Sequence, residues 1–160
     1  MDIYDFAMRM EKDGEDYYRE MARQTGNKGL ITILTMLADE EVRHYKIVQK
    51  MKTEKSGMTE TMILSDAKNI FMQLKESNEK IDFDIEQTEL YKKAQTIEQR
   101  SMEFYLEKAD EVGLEYQKQI FLKLAAEEKK HYFMLENIIE FVSRPQSWLE
   151  NSEFHHLEEY

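Results

Sequence analysis

The chain has 160 residues, no cysteine and a formal charge of −11. That length suits one domain with a proper core. Without thiols, disulfides, iron–sulfur clusters, thiolate zinc sites and cysteine nucleophiles are excluded, and the excess of carboxylates argues against nucleic acid as a partner. No apolar run approaches the roughly 20 residues of a membrane span, and the acidic start MDIYDFAMRMEKDGED is unlike a signal peptide, so the sequence reads as a soluble cytoplasmic protein without membrane contact.

One proline and five glycines leave few places where a helix must stop, which predicts a chain that is nearly all helix. The first helix is expected from about Asp2 to Thr25, with Gly26 as a left-handed C-terminal cap. The second follows from about Lys28 to Thr53. The stretch from Glu54 to about Asp82 has weaker periodicity; it contains Lys55-Ser56-Gly57, then Ser65-Asp66 as the cap of a short helix through Lys75. The third long helix is expected from about Phe83 to Val112, capped by Gly113, and the fourth from about Leu114 to Ser143, ending before Pro145. The tail beyond carries Trp148, Leu149, Phe154 and Leu157, an apolar set suited to packing on the bundle or on a partner subunit.

Short links at Gly26 and Gly113 make each helix pair an antiparallel hairpin, and the long connection between the pairs can run the length of a bundle. The expected architecture is all-α: a four-helix bundle of two hairpins joined by a crossover over residues 1–144, with a short C-terminal segment over 145–160.

The two halves repeat one another. Glu11, Tyr18, Glu41 and His44 recur as Glu98, Tyr105, Glu128 and His131, each displaced by 87 residues, and the same offset pairs Tyr4 with Tyr91, Ala7 with Ala94, Gly26 with Gly113 and Leu37-Ala38 with Leu124-Ala125. Residues three apart share a helix face, so Glu41 with His44, and Glu128 with His131, can aim both side chains at one place. A lone Glu-x-x-His means little, since this composition yields roughly 0.6 such matches by chance. The third match, Glu153 with His156, lacks a glutamate 30 residues earlier, where Lys123 stands; the other two have Glu11 and Glu98 there. His155 and His156 read as polar surface residues.

Periodicity places all four glutamates inside apolar stripes. The second helix steps Leu34, Leu37, Glu41, His44, Val48, Met51, and the fourth steps Phe121, Leu124, Glu128, His131, Leu135, Ile138. The first runs Ala7, Glu11, Gly14, Tyr18, Met21, and the third Leu90, Ala94, Glu98, Ser101, Tyr105, Ala109. Burying four unpaired carboxylates would cost several kcal/mol each, more in sum than a domain's stability. Two divalent ions balance that charge, with two neutral imidazoles as nitrogen ligands. Glu40 and Glu127 are turned by about 100° and fall at the edge of their stripes. A mixed oxygen and nitrogen donor set suits iron, or manganese, better than zinc or calcium.

With those motifs in register, the sequence resembles the rubrerythrins, within the ferritin-like di-iron carboxylate superfamily, over roughly residues 2–143. The resemblance rests on FAMRMEKDGEDYY, LADEEVRHYK, IEQRSMEFY and LAAEEKKHYF. It implies a di-iron centre in which Glu41 and Glu128 bridge, Glu11 and Glu98 are terminal ligands, and His44 and His131 each complete one iron. Tyr18 and Tyr105, two turns beyond each terminal glutamate, would offer their hydroxyls to its carboxylates.

Two departures from the family pattern stand out. Ser101 occupies the place where rubrerythrins typically carry an additional glutamate, which implies that His44 stays bound where the family's iron shifts. The rubredoxin-like domain that supplies electrons in full-length members has no cysteines here to form it. Gly14 and Ser101, equivalent and small, read as room beside the metals that admits hydrogen peroxide or dioxygen. The expected function is reduction of peroxide, or dioxygen, with electrons from an external donor protein, in oxidative-stress defence. The alternatives are a ferroxidase or iron-handling protein, and a helical interaction module with a structural metal. A homodimer is implied by the family alone.

Overall fold

The computed structural model describes residues 2–53, 69–70, 72 and 85–143. Four helices are found there: α1 (Ile3–Gln24), α2 (Lys28–Thr53), α3 (Ile85–Glu111) and α4 (Glu115–Ser143), with no strand among the described residues. Asn69, Ile70 and Met72, the described part of the crossover, are helical, and Ile70 packs against the core. The expected turns at Lys55-Ser56-Gly57 and Ser65-Asp66, and the tail with Trp148, Leu149, Phe154, Leu157, His155 and His156, lie outside the described residues.

The helix ends follow from polar caps. Asp2 accepts a hydrogen bond from the Asp5 amide at 2.8 Å, satisfying one of the orphan donors that open α1. Gly26 and Gly113 were expected as left-handed caps, and neither has a left-handed backbone. α1 stops because Thr25 turns extended, at φ −84° and ψ 141°, with its amide still donating to the Met21 carbonyl. Asn27 then restarts the chain as helix, its side chain accepting from the Leu30 amide at 3.0 Å. The link is therefore an extended step between two capped ends, a geometry that asks nothing special of Gly26.

Each hairpin packs tightly on itself, and the hairpins meet along two seams, α1 against α3 and α2 against α4. Both seams are antiparallel. Tyr17 donates to the Leu90 carbonyl and Phe6 stacks near Phe104 on one, while Arg43 meets Glu127 and Glu41 faces His131 on the other. Consequently α2 and α3 run the same way, and the connection between them must travel the bundle's length, about 39 Å for a 26-residue helix.

The core is divided. One apolar cluster gathers Met21, Leu34, Leu37, Tyr91, Leu135 and Phe141 towards one end. The other gathers Ala7, Val48, Met51, Tyr105, Phe121 and Leu124 towards the other. Between them lies a polar layer built by all four helices.

Candidate metal centre

The polar layer consists of the residues that interrupt the four stripes. Glu11, Glu41, Glu98 and Glu128 are at most 4% exposed, and His44 and His131 are fully buried. Their ligand atoms form two groups: Glu11, Glu41, His44 and Glu128 in one, Glu41, Glu98, Glu128 and His131 in the other, the atoms of each within 4.8 Å of one another. Glu41 and Glu128 belong to both.

The imidazoles turn Nδ1 inward. His44 Nδ1 lies 3.0 Å from Glu128 Oε1 and 3.5 Å from Glu11 Oε2. His131 Nδ1 lies 3.4 Å from Glu41 Oε1 and 3.5 Å from Glu98 Oε1. The two rings are 5.6 Å apart and nearly parallel.

The tyrosines are crossed. Tyr18 shares α1 with Glu11 but donates to Glu98 on α3, while Tyr105 on α3 donates to Glu11 at 2.5 Å. Each hydroxyl fixes the carboxylate supplied by the other hairpin. Burial and the surrounding carboxylates hold both phenols well above their ordinary pKa, so they remain protonated donors. Tyr18→Phe should therefore lower metal affinity about 10- to 100-fold, the usual cost of losing an outer hydrogen bond to a ligand. Equilibrium titration with Fe(II) checks this, and an unchanged affinity would show that Glu98 needs no such support.

Crowding sorts the four carboxyls into two kinds. Burial raises Glu41 and Glu128, and the neighbouring carboxylates raise them further, so both lie well above the usual range. Burial opposes ionisation of Glu98 too, but the adjacent Glu128 carboxyl, the nearby charge of His131 and the hydroxyl of Tyr18 bring it down to about 2. Glu11 is likewise held low against burial by the charge of His44, by the adjacent Glu41 carboxyl and by the hydrogen bond from Tyr105. Burial also disfavours the charged form of His131, yet Glu98, with Glu40 and Glu127 behind it, raises this imidazole.

The two shared carboxyls are thus the ones that hold protons most readily in the metal-free layer. A divalent ion can bind there only by displacing those protons. Ion uptake should release protons and weaken as the pH falls, because the raised groups stay protonated to a higher pH. Titration in unbuffered solution measures it directly, and uptake without acidification would show that Glu41 and Glu128 are already ionised.

The donor chemistry fits a metal pair. Glu11 Oε2, Glu41 Oε1, Glu98 Oε2 and His131 Nδ1 are buried without a hydrogen-bond partner among the described residues. Each such atom costs about 1–3 kcal/mol unless something satisfies it. All four belong to the residues of the two ligand groups.

A family model for rubrerythrin matches residues 2–139. The chain belongs to the rubrerythrin family. No curated protein and no solved structure was found to match it. The family is one of di-iron carboxylate proteins, and this rubrerythrin-family chain presents buried carboxylate and histidine groups able to hold metal. No helix among the described residues is long and apolar enough to cross a membrane.

Three features of the site differ from what the sequence suggested. Gly14 does not border open space: a Cβ built there would lie 3.0 Å from Glu41 Oε2 and 3.2 Å from its Cδ. The room is the bed of the Glu41 carboxylate. Glu127, expected at a stripe's edge, is 1% exposed. Arg43 was overlooked; its Nη1 lies 3.2 Å from Glu40 Oε2 and 3.1 Å from Glu127 Oε1. The signal was present, since the 87-residue offset pairs Arg43 with Lys130, a cation directly before each histidine.

Proposed function

We propose that this chain holds two iron ions and reduces hydrogen peroxide with electrons from an external donor. The observation that carries the reading is the pair of ligand groups sharing Glu41 and Glu128. One ion would be held by Glu11 and His44, the other by Glu98 and His131, with Glu41 and Glu128 available to both. The four carboxylates of the layer match the charge of two divalent ions, and the mixed oxygen and nitrogen donors favour iron, with manganese as the nearest substitute.

Two such ions, when bound, supply the two electrons that convert one peroxide and two protons into two waters. The chain's own side chains do the rest. Tyr18 and Tyr105 hold Glu98 and Glu11 in place, and the apolar clusters on either side keep bulk water from the layer. Ser101 offers no carboxylate to compete with His44, so His44 serves in both oxidation states. The chain has no cysteine, and the spent electrons are replaced by a separate protein or reductant.

Stopped-flow mixing of the fully reduced protein with peroxide and, separately, with dioxygen tests this reading. Oxidation should be much faster with peroxide. Faster oxidation by dioxygen with continuing uptake of Fe(II) would instead mark an iron-handling protein, and no bound iron after reconstitution would remove both.

A further inference from the structure

The polar layer is closed at both ends by apolar clusters, so an ion reaching it must pass between helices. The α2–α4 seam offers such a path. Along it side-chain exposure rises from 0% at His44 to 13% at Glu40 and 25% at Arg43. Beside the buried centre, Glu40, His44 and Glu127 bring three further ligand atoms within 4.8 Å of one another.

Two carboxylates alone would not make a site, but His44 adds an independent sign. Its Nδ1 faces Glu128 and Glu11 inside the layer, and its Nε2, fully buried, has no hydrogen-bond partner among the described residues. That nitrogen faces outward, 3.8 Å from Glu40 Oε2. Arg43 places one positive charge across the two carboxylates from a side chain that is a quarter exposed.

We propose that Glu40, Glu127 and His44 Nε2 form an outer divalent-cation site, in which the incoming ion displaces the Arg43 guanidinium. A divalent ion would bring +2 to the two carboxylates where the guanidinium brings +1. Arg43 cannot lose its proton, but its stem reaches solvent and can carry the head outward. Two oxygens and an imidazole suit Fe(II) or Mn(II) and not Ca(II), which does not seek nitrogen. A neutral imidazole coordinates through one nitrogen at a time. His44 therefore holds the outer ion before the inner pair fills, and the site is a station on the way in. The inference goes beyond the inner centre and rests on that reading only for the ion's destination.

Mn(II) is the probe, its free-ion resonance signal reporting binding at equilibrium. In Glu128→Gln, which disables the inner pair, one weak Mn(II) should remain. Adding Arg43→Gln should tighten it about tenfold or more, since a competing charge within contact distance is removed. Adding Glu40→Gln instead should abolish it. If Arg43→Gln leaves the affinity unchanged, or Glu40→Gln leaves the ion bound, the outer site is overturned.

A second measurement leaves the inner ligands intact and so does not depend on how Glu128→Gln folds. Arg43→Gln should fill the inner pair faster than wild type, and Glu40→Gln slower, both ending at the wild-type metal content. Equal rates, or a lower final content in Glu40→Gln, would show that these residues only brace His44. A wild-type chain that binds no metal would defeat the inner reading as well, whereas two inner ions with equal loading rates would defeat the outer site alone.

Discussion

Glu128→Gln should retain less than one iron per chain after desalting, where the wild type should retain about two. Glu128 belongs to both ligand groups, and its Oε1 is also the nearest carboxylate oxygen to His44 Nδ1, at 3.0 Å. Its replacement by an amide removes one negative charge and one carboxylate oxygen from a residue common to both groups, which would leave three carboxylates to balance two divalent ions. Glu11→Gln is the control, because Glu11 belongs to one group only. The second group, Glu41, Glu98, Glu128 and His131, is untouched, so that variant should keep about one ion. Metal analysis of the two proteins side by side decides the matter. If Glu128→Gln keeps both ions, the shared-carboxylate arrangement is wrong.

Gly14→Leu should be damaging although no charged residue is touched. A bare Cβ at this position already lies 3.0 Å from Glu41 Oε2, tighter than side chains normally approach, and leucine adds three more carbons. Either α1 moves away from α2 or the Glu41 carboxylate leaves the layer. Overpacking of this kind costs about 1–3 kcal/mol, which for a domain of this size lowers the melting temperature by roughly 2–12 °C. Iron content should fall with it, because Glu41 is shared by both ligand groups. Gly14→Ala should be milder, since the neighbour then has to give by only a few tenths of an ångström. Calorimetry and metal analysis on both variants separate packing from ligation. A Gly14→Leu protein that melts normally and keeps two irons would show that Glu41 has another resting place.

Much of this site was legible without coordinates because its information is periodic. The 87-residue echo and the three-and-four spacing put Glu11, Glu41, Glu98 and Glu128 inside apolar stripes, and stripes of that kind become buried faces whatever the details of packing. Which tyrosine serves which glutamate was not legible. Tyr18 lies two turns from Glu11 on the same face, yet it reaches Glu98, because α1 packs against α3 and the hydroxyl spans the seam. Nor was the cap at Gly26, whose expected left-handed turn depended on the direction in which α2 leaves. Thr25 and Asn27 settle that direction with an extended backbone and a side-chain cap. The burial of Glu127 and the reach of Arg43 likewise depend on how closely α2 and α4 approach, a distance that no single helix encodes.

The crossed tyrosines also bear on how the two hairpins find their alignment. Apolar side chains are forgiving, and two greasy clusters alone would tolerate α1 sliding along α3 by one helical turn, about 5.4 Å. Such a slip would separate Tyr18 from Glu98 and Tyr105 from Glu11 together, stranding two phenols and two carboxylates in the interior. Errors in either direction are penalised alike, because the two bonds run oppositely across the same seam. The same layer thus works as a vernier, favouring one register of the hairpins over its neighbours.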